Sequence, residues 1–536
     1  MSFLDYALRT AKIDVWTADE SLGSRISTLI DQKLSMVEPA RGDVLEAILN
    51  VVRNRGVQMV LVEDEYVDAD YLETYAEHYS RAFRTKGPLC TRLHFFRCNI
   101  DREHLFALPK DAEENYLGFC ILRPTGHQYV SRTVVVPPHP PDDETRFVHC
   151  AAPFMTHLLG QPLEVVGSPF IQQDANTFVC AGAAMWSVCL FMHSRHQGPR
   201  LFPAQITSIA RERYSHGRVR QGLTSEQIVM TLQRAGMNPF AKTYIQLQQK
   251  KREDRPAHQR AIAEIVNLVH MFVDSGFPPI LLYGTREDDG HAVVVVGHDI
   301  ATRNFEKLEI AEVHGGVLHN SCFVENLIVL DDARGPYVGF NVDGVRSNFE
   351  PSLTECDYVG VVAPLPPEVS VEYDDTESEL SLLVFLWNNI ITSDPPDGED
   401  DQHSRRKNFA AHKIEYSLEN PAVLRPALLD SRDWKRQVIA SHLPKWLKVR
   451  YQSLLLPKYI WVVEMSDLNN INKSKRSERR IIGEAILDAT ANPRWTLDSL
   501  ITFHAHGLLM DASGEEVEFH KAEELFKPYP PVRRSI

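Results

Sequence analysis

The chain lacks several features whose absence narrows its chemistry. No run of about 18 apolar residues occurs, so no membrane span is expected. The residues from Met1 onward, interrupted by Asp5 and Asp14, lack the cationic and then apolar order of a secretory signal, which predicts a cytoplasmic protein. An excess of basic charge is also missing. Lys and Arg number 57 against 72 Asp and Glu, a formal charge of −15, which argues against nucleic acid as partner. The one basic tract, Lys473 to Arg480, is short and reads as a solvated helix face. The eight cysteines (Cys90, Cys98, Cys120, Cys150, Cys180, Cys189, Cys322 and Cys356) include no Cys-x-x-Cys pair, so neither a zinc knuckle nor a thioredoxin-like redox site is indicated. Apart from His291 and His298 the histidines show no metal-ligand spacing together, and neither a metal nor a cofactor is expected.

What is present is ordinary globular material. With 536 residues, 43% of them hydrophobic and 24% charged, the chain suits three or four domains around sizeable cores. Apolar spacing predicts two helices over 20–56, then strands near Val57–Val62, Leu93–Arg97, Tyr116–Leu122 and Thr133–Val136, with a helix over Tyr71–Phe83. This reads as an N-terminal α/β domain over 1–145, closed by the proline-rich run Pro137 to Asp143. Helices come first and strands later over 146–365. The capping-box sequence Thr224-Ser225-Glu226-Gln227 opens one helix, and Pro256 to Asp274 forms another, ended by Gly276. Strands are expected at Ile280–Tyr283, Ala292–Val296, Leu308–Ala311 and Leu327–Leu330, so the central part is α+β. An acidic linker with a helix at Leu380–Ile391 fills 366–404, and a small α/β or barrel-like module fills 405–536. The whole is a multidomain α+β protein.

The densest chemical signal is the run from Ser168 to Trp186. A segment rich in Asp, Asn and Thr leads into a helix-favouring stretch, Ala181 to Phe191, which places Cys180 at a helix N-terminus. The partial positive charge there favours a thiolate, the nucleophilic form of cysteine. The alternative is a buried helix whose small residues serve packing. Cys189, nine residues on, falls on the opposite helix face and reads as core.

A thiolate mechanism needs an imidazole to accept and return a proton. His291 stands where a polar loop enters an apolar strand, and His298 competes for the role seven residues later. Strand alternation would turn the two rings to opposite faces, and His291, beside the loop, is preferred. The imidazole in turn needs an acceptor, and either Asp331 or Asp332 at the end of Leu327–Leu330 can supply it. Donors for an oxyanion could come from Gln172 or Gln173 together with the Cys180 backbone N–H.

The order Gln, Cys, His, Asp, with the Cys on a helix start and the His entering a sheet, resembles papain-like cysteine peptidases. The runs Cys180-Ala181-Gly182-Ala183-Ala184 and Gly290 to Gly297 look most like the bacterial branch related to bacteriocin-leader peptidases. The resemblance covers roughly 165–340. It implies a helical lobe with Cys180 as nucleophile against a β-lobe with His291 as general base and acid, Asp331 or Asp332 orienting the ring, and Gln173 or Gln172 facing the oxyanion. Ala181 departs from the Trp or Gly found after the nucleophile in such families, and no inhibitory pro-segment is evident. The expected function is therefore an intracellular cysteine peptidase acting on a protein or peptide, with flanking domains that select substrate or answer to an activating protein partner, as in a bacterial defence system. The same residues could serve a transglutaminase-like or deamidating enzyme. A non-catalytic papain-like scaffold in a binding protein is the third reading.

Overall fold

The computed structural model describes residues 8, 10–19, 22–34, 43–81, 87–125, 128–138, 146–174, 179–211, 223–285, 290–300, 317–342, 352–370, 422–441, 445–468, 480–481, 483–490, 499–503, 508–511, 517–519 and 527–528. Strand β1 (Ile13–Thr17) leads through α1 (Leu22–Leu34) and α2 (Asp43–Asn54) to β2 (Met59–Tyr66). Then follow α3 (Ala69–Glu77), β3 (Cys90–Phe96), the short α4 (Lys110–Glu114), β4 (Tyr116–Leu122) and β5 (Val130–Val135). The five strands lie in the order of the chain and pair antiparallel throughout. The alternation of helices and strands suggested an α/β arrangement, which favours parallel strands. Here the helices merely bridge neighbouring antiparallel strands, so periodicity identified the elements without their direction. Helix α3 keeps the local rules: Asp68 caps it by accepting the Tyr71 N–H at 3.0 Å.

The central part begins with β6 (Arg146–Val148) and a hairpin of β7 (Ala152–Leu158) and β8 (Gln161–Gly167), followed by α5 (Cys180–His196), α6 (Pro203–Arg211) and α7 (Ser225–Arg234). Both reciprocal bonds of the Thr224–Gln227 capping box are made. After β9 (Phe240–Tyr244) and α8 (Leu247–Glu253), the long α9 (Arg255–Asp274) is capped by Asp254 and stopped by Gly276 at φ +78°. Strands β10 (Ile280–Gly284), β11 (His291–Ile300), β12 (Val317–His319), β13 (Val324–Asp331), β14 (Gly335–Asn341) and β15 (Tyr358–Ala363) complete it. All but β12 form an antiparallel sheet in the order β14-β13-β11-β10-β15-β9, with β6 added on β11. Helices before, antiparallel strands after: the central part is α+β.

The third sheet is built from β16 (Ala422–Asp430), β17 (Tyr459–Asp467), β19 (Gly483–Asp488), β20 (Ser499–Phe503), β21 (Leu508–Asp511) and β22 (Val517–Phe519). Helices α10 (Ser431–Ala440) and α11 (Lys445–Ser453) lie between β16 and β17, and β18 (Arg480–Ile481) pairs with β23 (Lys527–Pro528). The sheet borrows β12, which joins it parallel to β16. The expected strand at Leu308–Ala311, the helix at Leu380–Ile391 and most of the 366–404 linker lie outside the described residues.

The three sheets share one interior. A single apolar cluster runs from Ile26 and Ile48 through Trp186 and Val294 to Leu428 and Trp461. The hairpin β7–β8 turns back on the first sheet, where Leu158, Leu163 and Val165 join its second core. Arg92 fixes that contact, donating to Glu63, to the Thr156 hydroxyl and to the His157 carbonyl. Division at residue 145 therefore cuts the chain but not the core. Among the described residues no helix is long and apolar enough to cross a membrane.

Candidate active site

Helix α5 is apolar around its whole circumference, and every residue from Ala181 to Met192 is buried. A helix of that kind belongs in an interior. The pattern breaks at the two ends: the last turn, His193–His196, reaches the surface, and at the start Cys180 is half-buried. Val179 at the N-cap makes no side-chain capping bond, so the polar residues expected to cap do not do so from that position. Burial pushes the Cys120, Cys189 and Cys356 thiols up to about 12, as it does for Cys150 in direction. Those four are inert packing residues, and Cys189 belongs to the core as its helical phase predicts.

His291 is the first residue of β11, set there by Gly290 at φ +78°, a conformation that L side chains avoid. The ring packs edge-on against Tyr283 at 5.7 Å. Its Nε2 lies 3.0 Å from Asp331 Oδ1 and 3.6 Å from Asp332 Oδ1, and the Cys180 sulfur is within hydrogen-bonding reach of the same ring. Burial works to lower the pKa of the ring, but the bond to Asp331, the bond to Cys180 and the two carboxylate charges outweigh it and raise it to about 10.

The two aspartates divide the work. Asp331 also accepts the Ala333 N–H at 2.9 Å, and it is held below the usual carboxylate range chiefly by His291, against the opposing effect of burial. Asp332 is equally buried, yet neither oxygen makes a hydrogen bond of good geometry, and desolvation raises it to about 6. The Gln173 backbone N–H is near enough to favour its charged form. Asp331 is thus the hydrogen-bonded partner and Asp332 an auxiliary charge.

The segment before Cys180 is held from the first sheet. Arg123 Nη2 donates to the carbonyls of Gln172 at 2.8 Å and Gln173 at 2.7 Å, and Phe170 bridges Thr133. Gln172 spends its side-chain carbonyl on the Val130 N–H at 3.2 Å. That contact uses only the amide oxygen of Gln172 and leaves its NH2 group a donor, while the backbone N–H of Gln173 neighbours Asp332. His298 is separate from the thiol: its Nε2 bonds Asp274 at 2.9 Å. A bulge between Val295 and Gly297 interrupts β11, so strict alternation does not decide between the two histidines.

Sequence reasoning missed the residues that position this site. Arg123 carries no motif. Tyr79 donates to Asp174 across 95 residues. The buried Tyr337 hydroxyl accepts the Ser168 N–H and donates to the Val135 carbonyl. Asp70 of α3 accepts from Trp186 of α5 at 2.9 Å and takes a two-pronged contact from Arg200. Gly335, which opens β14 beside the aspartates, sits so close to α2 that a Cβ there would stand 2.6 Å from Ala47 Cβ. A glycine shortly after the two aspartates was the one local signal available. No known protein family and no curated protein matches the chain.

Proposed function

We propose that this protein is a cysteine peptidase that cleaves a peptide or isopeptide bond through a thioester. The observation that carries the reading is one chain of contacts: a half-buried sulfur opening a buried helix, an imidazole within its reach, and a carboxylate 3.0 Å from the imidazole. Its order follows the papain-like pattern read from the residues. Cys180 Sγ attacks the carbonyl carbon, and His291 passes its proton to the departing amine, leaving the acyl group on sulfur. Water then attacks the thioester, giving its proton to His291 as the sulfur leaves. Asp331 holds the ring in the tautomer and orientation both steps need. The Cys180 backbone N–H, together with Gln173 or Gln172, supplies the oxyanion donors this reading assigns.

The first sheet grips the loop that carries Gln173, so it serves as part of the site and as the element through which an activating partner would act. The protein would work in the cytoplasm on protein or peptide substrates. The test is iodoacetamide labelling at pH 6 to 7 with mass mapping of all eight cysteines. Selective modification of Cys180, lost in His291→Ala, supports the reading; slow uniform labelling overturns it.

A further inference from the structure

A second group of histidines lies at the other end of β11. His298 Nε2 is 2.9 Å from Asp274 Oδ1, and His149 Nε2 is 3.1 Å from the same oxygen. The three donor atoms lie within 4.8 Å of one another. All three residues are well buried, with side-chain exposures of 2%, 1% and 11% for His298, Asp274 and His149. They come from three elements, the segment after β6, the end of α9 and the far end of β11, so no local spacing announced them.

We propose that His149 Nε2, His298 Nε2 and Asp274 Oδ1 bind one divalent transition-metal ion of the zinc class. The two nitrogen–oxygen separations, 2.9 and 3.1 Å, are close to the roughly 3.0–3.4 Å expected of donors about 2.0–2.1 Å from a common ion, and the two nitrogens lie within 4.8 Å of each other. The donor set also fits, two imidazoles and one carboxylate, which suits zinc and its neighbours and not calcium or magnesium. Asp274 is turned for the task by its second oxygen, which accepts from Arg425 Nε at 2.6 Å; Arg425 in turn binds Glu464 at 3.0 Å. Such outer contacts orient a ligating carboxylate and leave one oxygen for the ion. His270 Nε2, 3.7 Å from that second oxygen, faces Asn320 and stands outside the donor set.

An independent feature supplies access. A cavity of about 60 Å³ is bounded by His149 and Asp274 and continues along His196, Phe277 and Asp430. That space reaches two of the three ligands and admits a few waters, enough to complete a coordination sphere. The site is remote from the thiol. Seven residues along β11 separate His298 from His291, roughly 20 Å at strand rise.

The test uses the full untagged chain, stripped with a chelator and titrated with Zn²⁺ by calorimetry, with X-ray absorption on the loaded protein. We expect one ion per chain and a shell of nitrogen and oxygen with two imidazoles and no sulfur. Affinity should fall at least about 10–100-fold in Asp274→Asn and in His298→Gln, and persist in the double variant Cys180→Ser, His291→Gln. Absence of binding to the full chain at 100 micromolar Zn²⁺ overturns the assignment, because the two rings then simply donate N–H bonds to Asp274. Sulfur in the shell, or loss of binding in the Cys180/His291 double variant, overturns it in favour of the thiol site. Stoichiometry and absorption are read on the unmutated chain, so they decide even where a variant fails to fold.

Discussion

Replacing Asp331 by Asn removes one negative charge from the His291 ring while keeping an oxygen 3.0 Å from Nε2. The imidazole titrates at about 10, against 6.5 for a free ring, and Asp331 contributes both the largest raising contact and a charge. At pH 8 such a ring is protonated by about 100 to 1. Loss of an opposite charge at this range lowers a pKa by about 1–3 units, which brings the variant ring to partial deprotonation near pH 8. The folded protein holds this proton more tightly than the unfolded chain does. The stability it contributes is therefore fully present below about 6.5 and is lost as pH rises toward about 10. On the order of a few kcal/mol is at stake for a ring with a quarter of its side-chain surface exposed. Proteins labelled with ¹³C at histidine Cε1, with the His291 signal assigned by its absence in His291→Gln, report the midpoint directly. Thermal melts from pH 6.5 to 10 report the stability. An unchanged midpoint in Asp331→Asn, or a wild-type midpoint near 6.5, would refute the pairing.

Other perturbations reach the same architecture from outside the site. Gly335→Ala should destabilise by about 1–3 kcal/mol through the contact with Ala47; in urea melts, adding Ala47→Gly should recover the steric part but not the cost of φ +119°. Arg123→Met should free the Gln172 and Gln173 carbonyls and slow Cys180 alkylation relative to wild type at equal folded fraction, a comparison made by mass spectrometry alongside circular dichroism. Asp70→Ala leaves the buried Trp186 N–H and the part-buried Arg200 guanidinium without their carboxylate and should cost about 3 kcal/mol in denaturant unfolding. Arg425→Met leaves Asp274 and Glu464 without their shared guanidinium and should cost about 3–5 kcal/mol, measured the same way; a change below 1 kcal/mol would show that this buried contact is not a structural joint.

Much of this molecule was legible one segment at a time. Hydrophobic period placed α1, α2, α9, β4 and β13 within a few residues of their ends, and the capping box at Thr224 did what its residue types require. The small-residue run after Cys180 marked a buried helix with one chemical residue at its start, because cap preference and hydropathy are properties of neighbouring residues. Strand direction in the first sheet was not legible, since a helix between two strands can join them either way. Neither was the choice between Asp331 and Asp332, adjacent residues of one type that differ only in which oxygen meets Nε2. Nor could spacing reveal that Arg123 holds Gln172, that α2 supports Gly335, or that His149, Asp274 and His298 share one oxygen. The sequence by itself determined which segments are helices and strands and which residue types can do chemistry. Only the tertiary structure decided which of them meet, because contacts across a hundred residues depend on how three sheets pack around one interior, and no local pattern encodes that packing.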